Sequence, residues 1–251
     1  MDIRREKAES SSGYDRIVKF LREQLLNGEL KAGDSLLPER ELSARLGVSR
    51  PVLREALRAL AMIGAVEIRH GVGTVVTKPD VSMLGEFFTF VLAHQPNVVD
   101  DVMQARIAIE RQAVRLACQR ATQSDYDRLA ACISDIVDTI HTPESGGIAD
   151  FRFHETMVNA SGSPTLINIY QSISVLMRRS HLDRREQIIQ VEGIEEFLID
   201  HHRAIFAAIV ERDEERADEL LGRHFEIGAD FRRRATIRML GASPLANNNP
   251  S

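Results

Sequence analysis

Glu39 to Leu60 reads ERELSARLGVSRPVLREALRAL, and its apolar residues Leu42, Leu46, Val48, Leu53, Ala56, Leu57 and Leu60 recur at helical intervals broken only at Gly47-Val48. The spacing predicts two short helices meeting at a tight turn. Gly47 suits the left-handed conformation that closes the first helix. Ser49 is a good N-cap for the second, and Pro51 is tolerated in its first turn. The second helix should begin near Arg50, with Ser49, Arg50, Arg54 and Arg58 able to face outward. Immediately downstream, Ala65 to Arg69 and Thr74 to Lys78 are short β-rich runs around a loop containing Gly71 and Gly73, which reads as a hairpin. Two helices of this kind are also compatible with an ordinary helical hairpin carrying a solvated basic face. The hairpin that follows favours a helix-turn-helix with a wing, a unit that sets side chains in DNA grooves. Arginine there can bond guanine O6 and N7 in a bidentate way or clamp a phosphate, and His70 at the wing tip can enter the adjacent minor groove.

These residues resemble the GntR family of winged-helix transcription regulators. The matching stretches are Gly28-Glu29-Leu30-Lys31-Ala32-Gly33-Asp34, Pro38-Glu39-Arg40-Glu41-Leu42, Gly47-Val48-Ser49-Arg50 and Leu53-Arg54-Glu55-Ala56-Leu57. The likeness spans about residues 14 to 78 and implies DNA contacts through Arg40, Ser49, Arg50, Arg54, His70 and Gly71. Pro38 falls one place later, and Pro51 one place earlier, than the family pattern, and both leave the arginines in position.

Charge is unevenly shared along the 251 residues: residues 1–79 carry 14 Lys and Arg against 11 Asp and Glu, residues 80–251 carry 18 against 26. A basic head and an acidic body fit a chain whose first part alone meets phosphate. Cys118 and Cys132 are far apart, which argues against a disulfide framework and for small core residues in a reducing, cytoplasmic setting. No apolar run approaches the roughly 20 residues of a membrane span, and the charged first residues are no signal peptide. The expected organisation is mainly α: a winged helix-turn-helix domain at 14–78, a linker at 79–82, and an all-helical effector-binding and dimerisation domain at 83–240. Residues 1–13 and 241–251 read as disordered.

From Ser82 onward the pattern is almost wholly helical, with turn signals at His94 to Asn97, Thr122 to Asp125, Thr142 to Gly147, Ser161 to Pro164 and Gly193. Six or seven helices are expected, one opened by a capping box of Thr122 and Asp125. Seven of the eight histidines lie in this body. Lone histidines are mostly surface or satisfied core groups, but Asp150 and His154 are four apart, on one helix face, and able to chelate one cation. His202 aligns with Leu198, Ile205 and Ile209, and His224 with Leu220, Ile227 and Phe231, so both project inward. Three imidazoles and a carboxylate inside one bundle are costly unless something binds them, and a divalent metal such as Zn, Ni or Mn suits these nitrogen and oxygen donors.

The body also resembles the ligand-binding domain of the FadR-type branch of the same family. That likeness implies a metal held by Asp150, His154, His202 and His224 at the floor of an effector pocket, with His201 a rival for the third position. Arg106, matching a motif with Glu110 on the first long helix, would pair with an effector carboxylate; an intrahelical Arg106–Glu110 pair is the alternative. Arg178, Arg179, Arg184 and Arg185 are further candidates in a charge run of the kind that usually faces solvent. The expected protein is therefore a homodimeric regulator, commonly a repressor, that reads a pseudo-palindromic double-stranded DNA operator and responds to a small carboxylate. Two other readings of the same residues are a metallohydrolase that activates water at the Asp/His cluster, and an architectural DNA binder with a structural metal.

Overall fold

Helix α1 (Gly13–Leu26) starts where Ser12 and Asp15 close a capping box, the Ser12 hydroxyl accepting from the Asp15 amide and the Asp15 carboxylate from the Ser12 amide. The computed structural model describes residues 12–92, 94, 98–188 and 191–242, and the chain divides into two units between Asp80 and Val81. Gly13, assigned from sequence to a disordered start, thus belongs to α1, and Gly241 and Ala242 likewise close the last helix. The rest of both expected tails, and three of the four residues of the His94 to Asn97 turn, lie outside the described residues.

The first unit continues with α2 (Glu39–Leu46) and α3 (Arg50–Met62). Between them Gly47 takes φ 61° and ψ 37°, a left-handed conformation that costs roughly 1–2 kcal/mol for a residue with a Cβ. Ile17, Leu21, Leu42, Leu53, Ala56, Leu57, Leu60 and Val66 form its core. Leu42, Leu53, Ala56, Leu57 and Leu60 belong to the apolar series read from the sequence, Leu46 and Val48 of that series pack partly buried against them, and α1 closes the core. Strands β1 (Val66–Arg69) and β2 (Gly73–Val76) pair antiparallel, Val66 opposite Val76 and Arg69 opposite Gly73. The second edge of β2 is braced by the segment before α2. Leu36 N–H donates to Thr74 O, Gly33 N–H to Val76 O and Val76 N–H to Asp34 O, each at 2.8 Å. The wing is therefore anchored at its base on both sides, which leaves its tip exposed while its stem is fixed.

The second unit contains eight helices among the described residues, not six or seven: α4 (Ser82–Leu92), α5 (Val98–Arg120), α6 (Gln123–Asp138), α7 (Pro143–Ala160), α8 (Pro164–Ser172), α9 (Ser174–Ile188), α10 (Ile194–Val210) and α11 (Glu214–Ala242). The unforeseen break falls at Ile173, where neither glycine nor proline marks it. Thr122 and Asp125 close the expected capping box at α6. Helix α7 is the hub, packed against α5, α6, α8 and α9. Gly147 lets α9 come close to it: a Cβ there would lie 3.1 Å from Leu182 Cδ2 and 3.3 Å from Leu182 Cα. Around the hub Leu129, Phe153, Met157, Ile205, Ile209 and Leu221 are fully buried, at roughly 1.5–3 kcal/mol of transfer free energy apiece. This dry shell surrounds the polar residues described next.

Candidate metal centre and nucleic-acid interface

Helical periodicity carries Asp150 and His154 to one face of α7, and the inward faces of α10 and α11 carry His202 and His224 toward them. One potential ligand atom from each of the four residues lies within 4.8 Å of all the others. The three histidines are buried, and Asp150 is nearly so.

The hydrogen bonds around the cluster fix which atoms point inward. His154 Nδ1 is 2.6 Å from Glu110 Oε2, and His202 Nδ1 is 2.5 Å from the carbonyl of Leu198. Both partners are acceptors, so each Nδ1 carries the proton and each Nε2 presents a bare lone pair. Those lone pairs have no hydrogen-bond partner, nor do His224 Nδ1 and Asp150 Oδ1. Asp150 Oδ1 lies 3.0 Å from His202 Nε2 and 3.9 Å from His154 Nε2, close but not aligned for a hydrogen bond. A carboxylate oxygen facing a nitrogen lone pair is repulsive, and a cation between them turns repulsion into coordination. The residues thus fit a divalent ion, with neutral nitrogen and anionic oxygen donors of the kind Zn, Ni or Mn takes. Burial, then the neighbouring His202 and His154, holds the His224 pKa well below the usual imidazole range, so it too stays neutral.

Glu110 organises the wall. It accepts from Arg106 Nε at 2.7 Å, from the Tyr170 hydroxyl at 3.0 Å and from His154 Nδ1. Burial alone would raise its pKa, but the Arg106 and His154 contacts outweigh that and leave it at about 2. The intrahelical Arg106–Glu110 pair is therefore present, and the guanidinium still has Nη2 without a partner. Arg106, Asp150, His181, Arg185 and His224 line a cavity of about 30 Å³, room for little more than one or two waters.

His181 and the burial of Arg185 escaped the sequence reading. The His181 Nδ1 makes a short hydrogen bond with Asp150 Oδ2, and the Arg185 guanidinium donates from Nη2 to the Ile140 carbonyl at 2.5 Å. The signal was present on α9: Met177, Ser180, His181, Arg185 and Ile188 share one buried stripe, hidden by the arginines on its other faces. Arg178 is exposed and stacks over the Phe151 ring, 4.9 Å from its centre, and Arg179 is exposed; the Arg184 side chain lies outside those described. His201 lies outside the cluster, its ring 4.4 Å from that of Phe197.

In the first unit Arg40, Ser49, Arg50, Arg54, His70 and Gly71 are all exposed. Ser49 stands at the N-cap of α3 without a side-chain capping bond, so its hydroxyl is not committed to the helix. Glu39 at the head of α2 accepts from Arg54 Nε at 2.7 Å and lies 3.9 Å from Arg50 Nη2. Arg50, Arg54 and Arg58 line one surface groove along α3.

A winged helix-turn-helix followed by a helical body with a buried Asp/His cluster defines a DNA-binding regulator class, and the comparisons agree. Residues 13–76 match the model of bacterial regulatory proteins of the gntR family, and residues 101–227 match the FCD domain. The chain belongs to the GntR family, in the branch whose helical domain is an FCD domain. It is 30% identical to the HTH-type transcriptional repressor NanR of Cronobacter sakazakii, over 84% of this chain and 81% of that protein. It is 25% identical to the galactonate operon transcriptional repressor of Escherichia coli, over 82% and 90%. Among solved structures, a GntR protein of Streptococcus agalactiae superposes with TM-score 0.60 at 23% identity, covering 88% of this chain and 98% of that one, which shows the shared fold. The family and these relatives are transcription regulators, not enzymes, which sets the hydrolase reading aside. Among the described residues no helix is long and apolar enough to cross a membrane.

Proposed function

We propose that this protein is a cytosolic, homodimeric transcription repressor whose affinity for a pseudo-palindromic operator is set by a small organic acid bound at a divalent metal in the helical body. The observation that carries the reading is the set of four unpartnered donor atoms of Asp150, His154, His202 and His224 converging within 4.8 Å, beside the unpartnered Arg106 Nη2. When bound, the metal would supply open coordination positions for a carboxylate and a local positive charge. Arg106 would orient that carboxylate, Glu110 would hold both Arg106 and the His154 tautomer, and the apolar shell would exclude water. In the head, Arg50 and Arg54 would read base edges, Arg40 and Ser49 would position the helix on phosphates, and His70 with Gly71 would bring the wing to the adjacent groove. The relatives named as repressors support release of DNA as the response. The acid would act by binding one state of the body better than another, and its effect on DNA affinity is bounded by that difference.

The test is thermal unfolding of the metal-loaded protein against a panel of small organic acids, repeated after chelation. An acid present at about 100 times its Kd adds roughly 2.7 kcal/mol to stability. A shift that disappears with the metal, together with loss of binding to DNA selected from a random pool, supports the reading. Acids that stabilise equally with and without metal, or that leave DNA binding unchanged, would refute it.

A further inference from the structure

A divalent ion on the Asp150 cluster would give the site more positive charge than one carboxylate can answer. Arg106 and Arg185 are both buried, 2% and 4% exposed. Arg106 is paired with Glu110. Arg185 is not paired with a carboxylate among the described residues: its Nη2 donates to a neutral carbonyl and its Nε has no partner. A buried guanidinium left in that condition costs several kcal/mol, and buried charges are as a rule paired. Arg185 is also held in place. A Cβ at Gly146 would sit 3.1 Å from both its Nε and its Nη2 and 3.0 Å from the Thr139 carbonyl, so the glycine makes the slot in which the guanidinium lies.

Among the described residues, the charges lining the cavity or paired with its lining are two arginines, Arg106 and Arg185, and two carboxylates, Asp150 and Glu110. They cancel. The histidine ligands coordinate as neutral imidazoles, and His181 adds no negative charge whatever its state. A divalent ion placed on the Asp150 cluster therefore leaves two positive charges enclosed in a region of low dielectric. A monoanion neutralises only one of them. Two buried donors on the residues lining this cavity have nothing to bond: Arg106 Nη2 and Arg185 Nε. They lie on two helices, α5 and α9, so two separate groups of a ligand can be held at once.

We infer that the effector is a short dicarboxylate, one carboxylate taken by the metal and Arg106 and the other by Arg185. The inference rests on the effector reading above and names its ligand class. Arg185 is then the residue that tells a dianion from a monoanion, because it is not among the cluster's own ligands and bonds no acid among the described residues. A cavity of about 30 Å³ admits no such ligand without movement of its walls, and α9 carries Arg185, so α9 is the wall that would adjust.

The experiment uses the full-length, metal-loaded protein with two homologous series, propionate, butyrate and valerate against malonate, succinate and glutarate, read by calorimetric titration and by thermal shift. The expected result is that one dicarboxylate binds at least about tenfold more tightly than the monocarboxylate of equal carbon number, the effect of a second charge-assisted bond. Arg185→Gln should abolish that preference while leaving monocarboxylate affinity within about threefold, and Arg185→Lys should keep part of it. Should Arg185→Gln not fold, the comparison of the two series in the natural protein still decides. Equal affinity for the two series would overturn the inference but leave the sensor reading intact, as would equal loss for both in Arg185→Gln. No metal-dependent shift from any acid of either series would overturn both.

Discussion

Replacing Glu110 by Gln isolates what the carboxylate does, because the shape is kept and only one oxygen and the charge are lost. Glu110 has two occupied sides: Oε1 receives Arg106 Nε and the Tyr170 hydroxyl, Oε2 faces His154 Nδ1. An amide has one acceptor and one donor end, so either orientation sets a donor against a donor. With its oxygen toward Arg106, the amide nitrogen confronts His154 Nδ1–H and drives the imidazole proton to Nε2, the atom that faces the cluster. With its oxygen toward His154, the amide nitrogen confronts Arg106 and Tyr170. Arg106 is buried and would lose its ion-pair partner, a loss of roughly 3–5 kcal/mol in comparable buried pairs. Metal affinity should fall by about 10- to 100-fold, the usual effect of removing the group that orients a ligating histidine. Urea unfolding of the chelated protein measures the first quantity, and metal competition with a chromophoric chelator measures the second. A variant that loses less than about 1 kcal/mol and binds metal as the parent does would show that Glu110 neither anchors Arg106 nor sets the His154 tautomer.

Two further outcomes are expected. Glu39→Gln should free Arg54 and Arg50 from their acidic partner, raising affinity for random duplex DNA a few-fold and steepening the salt dependence by about one counterion; an unchanged salt slope in an anisotropy titration would count against it. Asp218, which bonds Arg111 at 2.6 and 2.7 Å and Arg115 at 2.6 Å and is held below the usual carboxylate range first by the Arg111 bond, clamps α11 to α5. Its folded-state pKa is depressed, so its contribution is present above an unfolded pKa of about 3.9 and lost as pH falls through the lower folded value. Because both arginines are half exposed, Asp218→Asn should cost only about 1–2 kcal/mol at pH 7, and the difference from the parent should shrink below about pH 4; a difference constant from pH 7 to pH 3 would refute the ion-pair account.

The head was legible because its apolar spacing, Gly47 and the hairpin glycines each report a local requirement, and those requirements agree. Only the Gly33 to Leu36 brace was missed, since a short segment pairing with the far edge of a hairpin leaves no periodic mark. In the body, Asp150, His154, His202 and His224 could be singled out because each sits on an otherwise apolar stripe. His181 and Arg185 could not be separated from Arg178 and Arg179 in that way. Both belong to a helix whose arginines spread over several faces, and which face turns inward depends on what α7 presents to it. Here that is Gly146 and Gly147, whose missing side chains make room for Arg185 and Leu182. The break at Ile173 is tertiary in the same sense: nothing local ends α8, and the chain turns where Tyr170, Ile173 and Met177 all join one apolar cluster.

The cluster also sets metal and fold against each other in a way that yields a sharp test. Four buried or nearly buried atoms without partners each cost about 1–3 kcal/mol in the folded, metal-free body. Their sum approaches the whole stability of an ordinary domain, about 5–15 kcal/mol. An apolar residue in place of one ligand should therefore stabilise the metal-free protein and destabilise the loaded one. His224 is the position to use. Its ring lies among Phe197 and Phe225, at 5.6 and 5.8 Å between ring centres, and no hydrogen bond satisfies its Nδ1. His224→Phe keeps the aromatic packing and removes the unsatisfied nitrogen. In chelator its midpoint in urea should rise, by the equivalent of about 1–2 kcal/mol. In saturating metal the order should reverse, because the parent gains RT ln(1 + [M]/Kd) and the variant has lost a ligand. Two unfolding series on two proteins contain the whole argument. If the variant is less stable in chelator as well, His224 is part of an ordinary packed core, and the four unpartnered atoms are not a site kept open for a metal.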